Sequence, residues 1–197
     1  MLGVSDLDAM RIIAGTLRSR TLEAPAGLAT RPTSDRLRET LFNVLAHRID
    51  GAHFLDLYAG SGAVGLEALS RGAAQVVFVE RAPEALKVLR GNLTRLGITA
   101  GFHVQPGSVV AYLRRARASR AAGFDLVFMD PPYDASDEYE ATLGLLGGAA
   151  AGLLAAGALV IAEHRRKEPL EERYGALVRA RLLEQGDASL SFYRAAE

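Results

Sequence analysis

What most restricts the fold of this 197-residue chain is an alternation of short apolar runs with longer amphipathic stretches. That rhythm is the pattern of a mostly parallel sheet covered by helices on both faces. It predicts strands over His53–Tyr58, Gln75–Glu80, Phe102–Gln105, Phe124–Asp130 and Gly157–His164. Between them it predicts helices over Ala63–Arg71, Pro83–Leu96, Val109–Ser119 and Glu138–Ala150. The rhythm then breaks. Ala176–Glu184 and Ser189–Ala195 both read as strands, joined by the turn Gln185-Gly186-Asp187-Ala188, so the sheet is expected to finish in an antiparallel hairpin. A dehydrogenase-type sheet would instead continue with another helix and strand.

The start of the chain differs in kind. Arg11–Ala14 and Arg20–Glu23 suggest a small hairpin, followed by a turn-rich stretch and a helix over Asp35–His47 capped by Thr33 or Ser34. Leu37, Leu41, Val44 and Leu45 give that helix an apolar face, with Arg36 and Arg38 expected off it. The division expected is a small appendage over residues 1–48, able to build one wall of a site, and an α/β domain over 49–197. Charge supports the division: 23 basic and 23 acidic residues cancel overall, yet residues 9–48 hold seven arginines against Glu23, Asp35 and Glu39. Neutrality of the whole therefore does not exclude a nucleic-acid partner. The absence of cysteine excludes disulfides, thiolate nucleophiles and Cys-based zinc sites. The four histidines lack ligand spacing and no metal is expected; with no long apolar run and no secretory leader, a cytoplasmic protein is expected.

Two motifs carry chemistry. Gly60, Gly62 and Gly65 form G-x-G-x-x-G after the first strand, and Glu80 ends the second strand where a ribose-binding carboxylate belongs. This pattern suits a dinucleotide or S-adenosylmethionine. Asp56, ahead of the glycines, favours the latter, because a carboxylate there is unwelcome to a pyrophosphate but suits an ammonium and a sulfonium. The second motif, Asp130-Pro131-Pro132-Tyr133, follows a buried strand at the sheet edge where ligands bind. The Asp130 carboxylate and Pro131 carbonyl are two acceptors for the N–H groups of an exocyclic amine, whose delocalised lone pair they help to free for attack on a methyl group. The prolines restrict the backbone and remove donors, and Tyr133 offers a face for stacking a base held outside its stack.

With these segments in order, the chain resembles the RsmD family, bacterial guanine-N2 methyltransferases of 16S ribosomal RNA. The stretches RIIAG at 11–15, RPTSDRLRETLFN at 31–43, DLYAGSGAVGLEALSRGA at 56–73 and FMDPPY at 128–133 carry the resemblance. It implies the seven-stranded class I methyltransferase fold, S-adenosylmethionine as cofactor and ribosomal RNA as partner, in an assembled or partly assembled small subunit; apart from the resemblance, a monomer is expected. Asp56 and Gly60, Ser61 and Gly62 would hold the methionine end and Glu80 the ribose. Thr33, Tyr58, Ala59, Arg81, Ser108 and Val109 would complete the cofactor contacts. Asp130, Pro131, Pro132 and Tyr133 would hold the target base. Ser108 stands where many class members carry Asp or Asn to bond the adenine. Candidate RNA contacts are Arg11, Arg18, Arg20, Arg31, Arg36 and Arg38, with Arg165 and Arg166 after the fifth strand. No residue among these distinguishes guanine from adenine, whose amines would satisfy the same acceptors.

Overall fold

The computed structural model describes residues 10–24, 32–116, 123–132 and 136–196. In chain order its elements are α1 (Pro32–Leu45), β1 (His53–Leu57), α2 (Ala63–Ser70), β2 (Gln75–Glu80), α3 (Pro83–Arg95), β3 (Phe102–Pro106), α4 (Val109–Ala116) and β4 (Phe124–Met129). Then come α5 (Ser136–Leu146), a short 3-10 turn at Ala151–Leu153, β5 (Leu154–Arg165), β6 (Arg173–Tyr174), β7 (Leu177–Gln185) and β8 (Ala188–Ala195). One sheet holds every strand of the described residues, in the order β3-β2-β1-β4-β5-β8-β7-β6. The first five in that order run parallel, and β8, β7 and β6 are antiparallel, as the terminal hairpin required. The sheet has eight strands rather than seven, because the two-residue β6 adds an outer edge beyond β7.

Alternation along the strands divides the core. Phe54, Phe78, Leu126, Phe128 and Ile161 pack on one face with α1, α2 and α3, while Leu55, Val79, Val127, Met129 and Val160 pack on the other with α4 and α5. Both faces are covered, which is why the central strands read as continuous apolar runs.

Several sequence boundaries move for local reasons. The glycine at 157 does not open β5 but sits inside it, at φ +73°, where the pairing with β4 jumps from Phe124↔Leu154 to Leu126↔Leu159. It marks a bulge, a common role for a strand glycine. Helix α1 starts at Pro32 rather than Asp35, so Thr33 and Ser34 lie within its first turn instead of capping it. Proline suits that first position because its ring presets φ and its missing N–H would have had no helical partner. The N-terminal hairpin is reduced to one bridge, Arg11↔Thr21, flanked by Ile12 N–H to Arg20 O and Leu22 N–H to Met10 O.

Arg38 is a correction of more consequence. It is 5% exposed, not off the apolar face. It stands three, four and seven residues before the buried Leu41, Phe42 and Leu45, and so on their stripe. Its Nη2 donates to Arg11 O and to Asp35 Oδ1, and Glu67, fully buried, lies 3.9 Å from its Nε. Glu67 in turn accepts the amides of Ile13 (2.7 Å) and Ala14 (3.0 Å) and Arg71 Nε (2.7 Å). One carboxylate therefore joins the N-terminal segment, α1 and α2.

Candidate active site

Strand order reverses between β1 and β4, and their carboxyl ends open onto a cavity of about 680 Å³. Such switch points are where open α/β sheets bind ligands. Four neighbouring strands end there in carboxylates on one sheet face: Glu80 on β2, Asp56 on β1, Asp130 after β4 and Glu163 on β5. The period of two places them together, since each lies an even number of residues from Phe54, Phe78, Phe128 or Ile161 on the same face.

The glycine turn is held from below by these acids. Asp56 Oδ2 accepts the Gly65 amide at 2.9 Å, within the first turn of α2. Glu80 Oε2 accepts the Gly60 amide at 2.8 Å, and its Oε1 accepts the amides of Arg81 and Ala82, each at 2.8 Å. Of the roughly four lone-pair positions of a carboxylate, Glu80 thus keeps one. Gly62 has φ +82°, and a Cβ on Gly65 would stand 2.3 Å from the Phe78 ring, so the third glycine lets α2 rest directly on β2. Tyr58 takes φ +61°, a strained value for an aromatic residue, and its hydroxyl lies 2.7 Å from both Glu138 Oε2 and Thr142 Oγ1 on α5. Its hydroxyl is thus engaged by α5.

Burial acts on the acids unequally. Desolvation pushes the Asp130 carboxyl up to about 7. Glu163 is raised well above the ordinary range by desolvation and then by the charge of Asp130. Asp56 is also raised, by burial first, against the lowering effect of the Gly65 amide. At neutral pH this row does not hold a full complement of negative charge without a cationic or N–H-donating ligand.

The remaining candidates divide by location. Ala59, Gly60, Ser61, Arg81, Val109, Pro131 and Pro132 line the cavity with the acids, as does Arg38. The exposed Arg81 guanidinium pairs with Glu138 at 3.2 Å. Ser108 is exposed and caps α4, its Oγ accepting the Ala111 amide at 3.3 Å, while Gly107 and Val109 on either side face the cavity. Arg11, Arg18, Arg20, Arg36, Arg165 and Arg166 are exposed. Arg20 donates to Arg95 O, and Arg165 and Arg166 pair with Glu168 and Glu184. Tyr133, Arg31 and the side chain of Thr33 lie outside the described residues. His164 is buried, its Nε2 2.9 Å from Ser191 Oγ and its Nδ1 beside backbone carbonyls, a structural arrangement. Glu163 is the site residue that sequence reasoning missed. The signal was present: like Asp56, Glu80 and Asp130, it closes an apolar strand run.

Comparison with known proteins finds methyltransferase relatives along the chain. The family model described as Conserved hypothetical protein 95 matches residues 10–194. A Bacillus subtilis (strain 168) protein named for rRNA methyltransferase activity, YlbH, is 37% identical over 185 residues, covering 94% of this chain and 98% of the relative. Ribosomal RNA small subunit methyltransferase D of Escherichia coli (strain K12) is 42% identical over 124 residues, a stretch covering 63% of this chain and 60% of that protein. The solved structure of Escherichia coli yhhF, named a methyltransferase, superposes with a TM-score of 0.81 at 34% identity, covering 95% of this chain and 98% of that one.

Proposed function

The chain belongs to the Conserved hypothetical protein 95 family, that of the RsmD methyltransferases, and on that premise we propose that it methylates the N2 amine of a guanine in small-subunit ribosomal RNA. The methyl donor in this reading is S-adenosylmethionine. The observation that carries it is the meeting, in one cavity, of the Asp130-Pro131 acceptors after β4 with the acid-braced glycine turn after β1.

The residues fit this cofactor. A cavity of about 680 Å³ lies within the usual size range for small-molecule sites. Asp56 suits an ammonium, the free position on Glu80 suits a ribose hydroxyl, and Val109 offers an apolar wall. When bound, the cofactor supplies an electrophilic methyl group on a sulfonium. Asp130 and the Pro131 carbonyl accept the two amine N–H groups and orient the nitrogen lone pair along the line of attack. The amine nitrogen gains a methyl group and must lose one proton. Asp130, raised to about 7, holds that proton on its carboxylate before releasing it to solvent. The exposed Arg11, Arg18, Arg20 and Arg36 give the N-terminal side of the molecule its phosphate contacts.

Incubation with methyl-labelled S-adenosylmethionine and, in parallel, naked small-subunit RNA, assembled small subunits and DNA tests the reading. The label should enter RNA and, after digestion to nucleosides, migrate as N2-methylguanosine. Label found only in DNA, or only in methyladenosine, would overturn it.

A further inference from the structure

Neither acceptor named so far distinguishes guanine from the other bases that carry exocyclic amines; the neighbouring strand does. The last paired residues of β4 and β5 are Met129 and Ala162, so Asp130 and Glu163 stand one step further along adjacent strands and share a sheet face. Both line the cavity. Asp56 and Glu80 already accept backbone amides, whereas no hydrogen bond to a described residue acts on the Asp130 or Glu163 carboxyl. Glu163 is fixed through its backbone: its carbonyl accepts Tyr139 Oη at 2.7 Å, and on its other side it pairs in register with Leu190 of β8, which also lines the cavity.

Bases with an exocyclic amine differ in the ring atoms beside that amine. Guanine N2 is flanked by N1–H, a donor. Adenine N6 and cytosine N4 have no ring N–H beside them, only a bare ring nitrogen, an acceptor. A second carboxyl beside the one that holds the amine meets in guanine an N–H that draws it into its ionised, accepting form against the effect of burial, and in the others a lone pair that gives the ionised form no partner, and an unpaired buried acceptor is costly. We propose that Glu163 is the guanine-specificity residue of this enzyme, its carboxylate accepting N1–H of a guanine whose N2 amine is held by Asp130. The proposal rests on the N2-methyltransferase reading above.

The decisive comparison uses 2-aminopurine, which keeps the amine at C2 but has an unprotonated N1. Small-subunit RNA, free or rebuilt into subunits, would carry guanine or 2-aminopurine at the target position. Cofactor-free binding is read from 2-aminopurine emission and its competition by the guanine RNA, and transfer is read as kcat/KM. The wild-type protein should prefer guanine by at least about tenfold in both, and Glu163→Gln, whose amide both donates and accepts, should narrow that to about threefold or less. Glu163→Asp should retain the preference. A Glu163→Gln protein that melts no lower than wild type, with unchanged S-adenosylhomocysteine affinity, and keeps the wild-type ratio overturns the proposal, as does a wild-type protein that does not discriminate. Failure of the wild type to methylate guanine in any RNA would instead remove the reading on which it rests.

Discussion

In the proposed reaction Asp130 sets the chemistry and the stability of the site against each other. Its carboxyl is pushed up by burial to about 7, and Asp56 and Glu163 are raised beside it. A carboxyl whose folded value lies above its unfolded one contributes stability that is fully present below the unfolded value and is lost as pH rises through the folded one. The ligand-free protein should therefore be penalised by Asp130 progressively from about pH 4 to pH 8. Asp130→Asn removes that penalty: above pH 7 it should melt higher than wild type, by the equivalent of about 0.5–2 kcal/mol, with the gain fading toward pH 4. The same change should lower single-turnover methyl transfer at least about 100-fold while leaving S-adenosylhomocysteine binding nearly intact. Wild-type transfer itself should rise with pH through about 7, because only the ionised carboxylate accepts the amine. A variant no more stable than wild type at pH 8, or one that retains transfer, would refute this assignment. At this scale Asp56, Glu80 and Asp130 were legible because each sits in a motif. Glu163 closes an apolar strand run in the same way, but GALVIAEH carries no motif and its meaning depends on which strand lies beside it.

Among the elements, α1 and α2 depend on Glu67 for their joint with the N-terminal segment. It is fully buried, paired with Arg71 at 2.7 Å and faced by Arg38, whose Nε has no hydrogen-bond partner among the described residues. Removing one member of a buried ionic cluster strands the others, so Glu67→Ala should destabilise the protein by about 3–5 kcal/mol, read from chemical denaturation. A loss below about 1 kcal/mol would show that the Ile13 and Ala14 amides and the two arginines find other partners. Asn92 ties the same segment to α3, accepting the Glu23 amide at 2.8 Å and donating to Glu23 O and Ser61 O at 3.0 Å each. Helix periodicity gave α1 an apolar face that must pack on something, and the structure packs it on the sheet. Periodicity misjudged Arg38, because an arginine on an apolar stripe is read as a solvated edge unless the carboxylate opposite is known, and that carboxylate is 29 positions away in the chain.

For the whole molecule the question is how a chain of zero formal charge would engage RNA in the proposed function. Many arginines are already committed: Arg38 and Arg71 to Glu67, Arg81 to Glu138, Arg95 to Glu23, Arg166 to Glu184 and Arg179 to Glu172. Arg18 and Arg36 are exposed on the N-terminal side, and Arg18→Ala and Arg36→Ala should each flatten the dependence of log affinity on log salt by about 0.7 to 0.9. Unchanged slopes across a salt series would place the phosphate contacts elsewhere. The sequence by itself determined the alternation of strand and helix, the antiparallel finish, the glycine turn and the proline-stiffened acceptor loop. These depend on side-chain period and backbone restriction among residues close in the chain. The tertiary structure alone decided that Glu163 stands beside Asp130, that Arg38 turns inward to Glu67, and that the Glu80 carboxylate is largely taken by backbone amides. Strand register and burial are set by packing between distant segments, where a one-residue shift in strand register would turn Glu80 or Glu163 to the other face of the sheet.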